Sequence, residues 1–297
     1  MRKVAMALVL AALLGGVYLT ERGQGDTVIG LGAVMRLVAD FQRQAERLPL
    51  TATRVSDEEE EEVGRGLAQQ YGVSRSAGTE KGRALEAYVR RVGTRLSAHV
   101  DRTRIPYHFY VQPEPAMNAF ALPGGQVIVL RGLYDAMESE DEMAAVLGHE
   151  IAHVDRRHAI ERLQYALAAR KLGLSLPHAI ASIPISLFQA GYNREKELEA
   201  DLVGLGYAVA AGYSPQGAID LFRRLGENEG QPTQPASTPV DEMGRVVAEG
   251  PREYFRSHPP ADLRIAELEK AMRSRGWHPS PVRPLAVSTD GKSPAKP

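Results

Sequence analysis

The spacing of apolar positions divides most of the chain into helical stretches. Residues 30–49, 60–71 and 82–99 place apolar side chains three or four positions apart, which is the period of an amphipathic helix. From about residue 139 onward the pattern is again mostly helical, apart from a loop at the Gly-, Pro-, Gln- and Thr-rich stretch 228–240. The pattern therefore predicts a mainly helical protein.

Strand signals are confined to residues 107–130. The segment Tyr107–Val111 is short and rich in β-prone side chains. Two further apolar runs, Asn118–Leu122 and Gln126–Leu130, flank Pro123-Gly124-Gly125, and a turn of this composition typically joins two strands in a hairpin. We therefore expect an α+β protein, predominantly helical, with one small sheet.

The beginning of the chain has the pattern of an export signal. Arg2 and Lys3 precede an apolar run, residues 4–19, which reads as a secretory signal or a signal anchor. The run is shorter than the about 20 residues of a comfortable membrane span, so cleavage and anchoring both stay open. Basic residues on the inner side predict export of the rest of the chain.

Leu172–Ala190 is also apolar, but its prolines and histidine favour a buried or lid-like segment.

The amino-acid composition limits the kinds of catalytic and metal-binding chemistry that the chain can perform. The 297 residues are 43% apolar and 25% charged with a net charge of −1, which is ordinary for one or two globular domains. Such a charge argues against a nucleic-acid binder. The chain has no cysteine, which excludes disulfides, cysteine nucleophiles and thiolate zinc sites. Any metal site must therefore use His, Asp and Glu.

The segment His149-Glu150-Ile151-Ala152-His153 is an HExxH motif. On a helix its two histidines share a face and can bind one ion, while Glu150 lies about 100° round from His149 and can act as general base. Ser139 and Glu142 have the spacing of a capping box that opens this helix. The motif predicts one zinc ion per chain, bound by His149 and His153.

A catalytic zinc needs a third protein ligand, and a downstream helix that Asn193 can cap supplies the candidates. Glu197 and Asp201 lie four residues apart on a face that Gly204 continues with a small residue, which permits close approach to another helix. Glu195 and Glu199 face other directions. We therefore expect Glu197 to bind the zinc and Asp201 to accept a hydrogen bond from a ligand imidazole.

These motifs resemble those of metallopeptidase family 48, zinc endopeptidases that include the CAAX prenyl proteases, HtpX-like proteases and mitochondrial Oma-type proteases. Four ordered stretches carry the resemblance: Asn118–Gly125, His149–His153 with Arg157-His158, Glu197–Asp201, and Ser257–Pro259. The chain looks most similar to the periplasmic BepA-like branch, without its tetratricopeptide-repeat domain. The resemblance implies a zincin-like, gluzincin fold and also places the third ligand at Glu197.

The resemblance implies further roles that spacing does not show. His258 would lie near the zinc, where it either takes the open coordination position or stabilises the oxyanion, and Arg264 would lie at the same site and help to stabilise the oxyanion. The strand from Gln126 would be the sheet edge that lines the cleft, with peptide added as an extra strand. The implied substrate-binding residues are Asn118, Gln126, Val127, Ile128 and Val129. His158 lies about 140° round the helix from His153, and we expect it to be structural, either capping or packing beside the ligand helix.

Together these features predict a zinc-dependent metalloendopeptidase that hydrolyses misfolded or unassembled envelope proteins in protein quality control. We expect it in the periplasm or anchored to the inner membrane through residues 4–19. The alternative is a chaperone or assembly factor for envelope proteins whose proteolysis is latent or rare. The expected division of the chain is a signal peptide or anchor at 1–22, an N-terminal helix or linker at 23–49, a metallopeptidase domain at 50–278 and a disordered tail at 279–297.

Overall fold

A computed structural model describes residues 55–73, 78–161, 163, 186–189, 191–227 and 258–286. The chain divides into two units, and nearly all the described residues belong to the one that comprises residues 56–161 and 180–297. The other unit lies almost wholly outside the described residues, as do the predicted segments 1–22 and 23–49.

The described residues form helices around a small sheet, and this mostly helical α+β arrangement confirms the predicted class. The strands are β1 (His108–Gln112), β2 (Ala119–Leu122) and β3 (Gln126–Leu130). The helices are α1 (Asp57–Tyr71), α2 (Glu80–Ser97), α3 (Arg131–Asp135), α4 (Glu140–Asp155), α5 (His158–Glu161), α6 (Ser186–Gln189), α7 (Arg194–Ala210), α8 (Gln216–Glu227) and α9 (Ala261–Arg275).

Short polar side chains begin the two helices that carry the motifs. Asn193 accepts a hydrogen bond from the backbone N–H of Lys196 and so caps α7, as predicted. Ser139 accepts from the N–H of Glu142 at the start of α4. The predicted reciprocal bond of a capping box is not formed, because the Glu142 carboxylate accepts from the N–H of Glu138 instead. Each cap satisfies an N–H group that the first helical turn leaves without a partner.

The predicted placement of Gln126–Leu130 at the sheet edge is wrong. Within the described strands the order is β1–β3–β2, so this strand is central, parallel to β1 and antiparallel to β2. All five of its residues are buried, and a continuous apolar run is typical of a strand covered on both faces. Among the described strands, β2 is the one that lies beside the HExxH helix with one edge unpaired.

The predicted hairpin between β2 and β3 is confirmed. Gly124 and Gly125 have φ values of 69° and 80°, a left-handed conformation that residues with a side chain rarely adopt. The turn also packs directly on α1, where the Glu60 carboxylate accepts a hydrogen bond from the N–H of Gly124 at 3.3 Å. The Pro-Gly-Gly sequence is therefore required both by the turn and by its close approach to a helix.

The HExxH helix α4 is buried along nearly its whole length and crosses α7 at a pair of glycines. A Cβ atom added to Gly204 would lie 2.4 Å from the carbonyl carbon of Gly148 and 2.5 Å from the N of His149. A Cβ atom added to Gly148 would lie 2.5 Å from the carbonyl oxygen of Gly204. The two backbones are therefore in contact, next to the first histidine of the motif.

The chain after α9 is bound to the start of α4 through residues 283 and 284, and the N–H of Ala286 donates to the hydroxyl of Tyr88 on α2. The N–H of Arg283 donates to the Asp141 carboxylate at 2.7 Å, and its carbonyl accepts from the N–H of Glu140 at 2.8 Å. Pro284 forms a β-bridge with Ser139. The predicted disordered tail 279–297 is thus wrong for residues 279–286, because this segment supplies an acceptor that the first turn of α4 lacks. Residues 287–297 lie outside the described part.

None of the described helices combines the length and the apolar character needed to span a bilayer. Three predicted features lie outside the described residues. They are the apolar run 4–19, most of Leu172–Ala190 and the whole of the predicted loop 228–240.

Replacing Gly204 with Ala should lower the free energy of unfolding by about 1–3 kcal/mol, the usual cost of overpacking a core. The added methyl group would overlap the Gly148 backbone. Gly66→Ala in α1 is the matched control, because that glycine is exposed and an added Cβ would meet nothing within 4 Å. The control should be neutral or stabilise the protein by up to about 1 kcal/mol. Denaturant unfolding measures both, and equal stability of the two variants would contradict the helix contact.

Candidate metal centre

Three buried side chains from two helices bring their donor atoms together. His149 Nε2 and His153 Nε2 are 3.0 Å apart. The carboxylate of Glu197 on α7 lies 3.4 Å from His149 Nε2 and 3.7 Å from His153 Nε2. Ligands at the usual zinc distances in a tetrahedral site are separated by about 3.3 Å. The positions and the donor types of this set therefore fit a single zinc ion.

Burial distinguishes Glu197 from the two other glutamates that the sequence offers. Glu197 is fully buried, whereas Glu195 and Glu199 are exposed. Its carboxylate also accepts hydrogen bonds from the backbone N–H of Tyr192 at 2.7 Å and from His258 at 2.6 Å. Burial alone would raise the pKa of Glu197, but the charges of His258 and His149 outweigh it and hold the pKa well below its ordinary value.

His149 is backed by a buried ion pair. Its Nδ1 lies 2.8 Å from Asp201 Oδ1, and the guanidinium of Arg264 on α9 binds both oxygens of that carboxylate. The Arg264 guanidinium in turn lies 3.9 Å above the ring of Phe222. Burial would raise the pKa of Asp201, but Arg264 and His149 lower it further, so this carboxylate stays charged. A charged acceptor at Nδ1 leaves Nε2 of His149 free for a metal.

His153 is backed by His158 and Tyr192, and the sequence predicts a place at the metal centre for neither of them. Nδ1 of His153 lies 2.9 Å from Nδ1 of His158, for which the sequence predicts only a structural role in capping or packing beside the helix. The ring of Tyr192 stacks on the His153 ring with centroids 4.2 Å apart. One sequence signal for Tyr192 existed, since it directly precedes the cap Asn193 of the helix that carries Glu197.

The predicted general base, Glu150, is buried beside the three donors. Burial raises its pKa to about 7, with the Glu197 charge adding to the shift and the His149 charge opposing it. The backbone N–H of Ala121 on β2 donates a hydrogen bond to this carboxylate. A carboxylate with a pKa near neutrality can both take up and release a proton.

The two residues expected at the oxyanion occupy different places. His258 lies within the site: one of its ring nitrogens forms, with His149 and Glu150, a second group of possible ligand atoms within 4.8 Å of one another. Arg264 is fully buried and its guanidinium is bound to Asp201, so its geometry supports a positioning role and not the expected contact with an oxyanion. The physical reason is that Asp201, buried next to His149, requires a counter-charge.

The expected substrate-binding residues lie on two different strands, four of them on β3 and one at the start of β2. The β3 residues Gln126, Val127, Ile128 and Val129 are buried in the central strand and have no free edge to offer. Asn118, at the start of β2, is 7% exposed; its amide donates to the carbonyl of Gln189, and its Oδ1 has no hydrogen-bond partner among the described residues. Because Leu130 N–H bonds the Asn118 carbonyl, alternation along the strand directs the N–H and C=O groups of Ala119 and Ala121 away from β3.

Replacing Arg264 with Leu should lower the free energy of unfolding by about 3–5 kcal/mol, because it leaves the buried Asp201 carboxylate without its counter-charge. Arg273→Leu on the same helix is the matched control, since the Arg273 side chain is 71% exposed. That control should change the free energy by less than about 0.5 kcal/mol. Urea unfolding of the metal-free variants measures the difference, and a similar small loss in both would contradict the buried ion pair.

Comparison with known proteins finds matches over the part of the chain that carries these donors. The family model described as Peptidase family M48 matches residues 83–272, a span that includes the three donor residues and the residues that support them, from His149 to Arg264. Mitochondrial metalloendopeptidase OMA1 of Schizosaccharomyces pombe is 33% identical over 193 residues, which are 62% of this chain and 52% of that protein.

Bacterial relatives match a similar stretch. The beta-barrel assembly-enhancing protease of Yersinia pestis is 28% identical over 213 residues, 66% of this chain and 40% of that protein. The protein of the same name from Escherichia coli K12 is 26% identical over 222 residues, 69% of this chain and 41% of that protein. The chain thus spans about half or less of the length of these relatives. Because the family match covers more than half of the chain, the chain belongs to Peptidase family M48.

Proposed function

We propose that the protein is a zinc-dependent metalloendopeptidase with the zincin-like, gluzincin fold that the motifs imply. The observation that carries the proposal is the convergence of His149, His153 and Glu197 beside the buried carboxylate of Glu150. Family membership and the names of the relatives, metalloendopeptidase and protease, support the same activity. Each ligand is held by a further partner, as a preorganised metal site requires.

The residues around the donors have separate tasks in this proposal. A bound zinc ion supplies Lewis acidity, which polarises a scissile carbonyl and lowers the pKa of a water molecule. Glu150 takes a proton from the attacking water and passes it to the nitrogen of the leaving amine, so one carboxylate acts first as base and then as acid. His258 faces the same space, and its protonated form, which has a second N–H besides the one that Glu197 accepts, would donate to the oxygen that becomes negative as the carbonyl is attacked.

The substrate peptide would bind along β2. The outward N–H and C=O groups of Ala119 and the outward C=O of Ala121 can pair with an extended peptide, which then adds a strand to the sheet. The N–H of Ala121 donates to Glu150 in this structure, so the edge and the general base adjoin each other. Asn118, with an unsatisfied side-chain oxygen at the start of the same strand, is the side chain in place to bind the peptide. Main-chain pairing of this kind favours broad substrate choice.

The physiological role that fits best is proteolysis of misfolded or unassembled exported proteins in quality control. The basic start and the apolar run 4–19 support export to the periplasm or anchoring at the inner membrane. The relatives named beta-barrel assembly-enhancing protease support a substrate among envelope proteins.

Replacing Glu150 with Gln should leave zinc bound and reduce peptide cleavage by about 10²–10⁴, because the change removes the base and none of the proposed ligands. Zinc content by elemental analysis and cleavage of unfolded casein measure the two properties on the same sample. Glu195→Gln on α7 is the control, because that glutamate is exposed and should affect neither. Unchanged cleavage by a zinc-loaded Glu150→Gln protein would refute the assigned base.

A second candidate is a chaperone or assembly factor that binds envelope proteins and rarely cleaves them. The place of His258 favours this candidate, because a ring nitrogen within the group of His149 and Glu150 can occupy the coordination position that a water requires. The protein would then be latent at rest.

His258→Ala distinguishes these two candidates. We expect cleavage at saturating zinc to fall by about 10²–10³, the usual cost of losing one oxyanion donor. The exposed His278 provides the control variant His278→Ala, which should cleave at the original rate. Faster cleavage or self-degradation by the His258→Ala protein would instead favour the latent form.

A further inference from the structure

On the side of its ring away from the donor cluster, His153 contacts His158, which takes part in no step of the proposed reaction. Nδ1 of His153 and Nδ1 of His158 are 2.9 Å apart, and both side chains are almost fully buried. Nε2 of His158 lies 3.4 Å from the Glu199 carboxylate, which is half exposed at the surface of α7. The three residues form a row that leads from the donor cluster to the surface.

The positions of protons along this row follow from simple hydrogen-bond chemistry. A ring nitrogen that binds a metal carries no proton, and Nε2 of His153 faces His149 and Glu197. Its proton therefore resides on Nδ1, which makes this nitrogen a donor. Nδ1 of His158 must then accept, so the proton of the neutral His158 ring lies on Nε2, directed at Glu199.

The backbone before His158 is bent in a way that brings this ring back to the helix. Arg157 has a φ of 65°, the left-handed conformation, which is uncommon for a residue with a side chain. Its guanidinium bonds to Asp57 on α1 at 3.2 Å, so the unfavourable conformation is held by a contact with another element. Without this bend, α4 would carry His158 about 140° round the helix from His153.

We propose that His158 is a positioning residue of the metal centre, which fixes the tautomer and ring orientation of His153 by accepting a hydrogen bond from its Nδ1–H. Glu199 fixes the tautomer of His158 in turn, and this inference rests on the proposed zinc site. His149 obtains the same support from the Asp201 carboxylate, so the two histidines of the motif are backed by a charged and a neutral acceptor respectively.

The surroundings of His153 separate positioning from mere space filling. Tyr192 stacks on one face of the His153 ring, with an interplanar angle of 22°. Tyr192 therefore already packs against the His153 ring, and His158 adds a hydrogen-bond acceptor at the edge of that ring. An aromatic ring without nitrogen would fill the same space and leave the Nδ1–H of His153 buried without an acceptor.

The test measures zinc affinity of the full-length protein by competition with a chromophoric chelator. His158→Phe should weaken zinc binding by about 10–100-fold, the usual effect of losing a partner behind a ligand. His158→Asn should restore most of the affinity, because the Asn Oδ1 atom accepts from near the position of Nδ1. His99→Phe, a change at an exposed histidine at the end of α2, should leave the affinity unchanged.

Two results would overturn the inference: His158→Phe binding zinc as tightly as the original chain, or His158→Asn losing as much affinity as His158→Phe. An original chain that binds no zinc would instead overturn the proposed function and the inference with it. Should the Phe variant not fold, as judged by circular dichroism of the metal-free protein, ¹H–¹⁵N spectra of the zinc-loaded original chain decide. They should show the Nδ1–H tautomer of His153 and the Nε2–H tautomer of His158, and an Nδ1–H tautomer of His158 would refute the inference.

Discussion

The donor cluster depends on the contact between two helix backbones where Gly148 meets Gly204. At this crossing neither residue has room for a Cβ atom, because the backbones of α4 and α7 are in direct contact. His149 follows the first glycine directly, and Glu197 and Asp201 lie on the side of α7 that the second glycine continues. A wider crossing would move the carboxylates away from the imidazoles by more than a metal–ligand bond tolerates.

Buried hydrogen bonds and ion pairs surround the donors and fix the orientation of each donor side chain at this crossing. Asp201 with Arg264 supports His149, His158 supports His153, and the N–H of Tyr192 together with His258 supports Glu197. Burial of so many polar groups is costly unless each has a partner, and it would be hard to explain as a way to stabilise the fold alone. A metal ion bound at the centre would account for the burial of Glu197 beside the two imidazoles and for the orientation of both rings.

The sequence predicted the parts of the site that depend on local rules. Helix periodicity separated Glu197 from Glu195 and Glu199, and the structure buries Glu197 while it exposes the other two. The caps at Ser139 and Asn193 and the hairpin around Gly124 also followed from local chemistry. Each of these predictions involved residues within a few positions of one another.

Features that join distant parts of the chain could not be predicted in the same way. The hairpin determines that β2 pairs with β3, but the pairing of β1 on the other side makes β3 central. The partner of Arg264 is Asp201, which lies on a different helix, and the approach of His158 to His153 depends on a left-handed residue that no local pattern favours.

X-ray absorption at the zinc edge of the purified protein is the sharpest test of the proposed metal centre, because it reports the number and type of atoms around the metal. We expect one zinc ion per chain with two imidazole nitrogens and one carboxylate ligand at about 2.0–2.2 Å. The imidazole contribution should fall when His149 is replaced. A spectrum without imidazole ligands, or one unchanged by that replacement, would contradict the account.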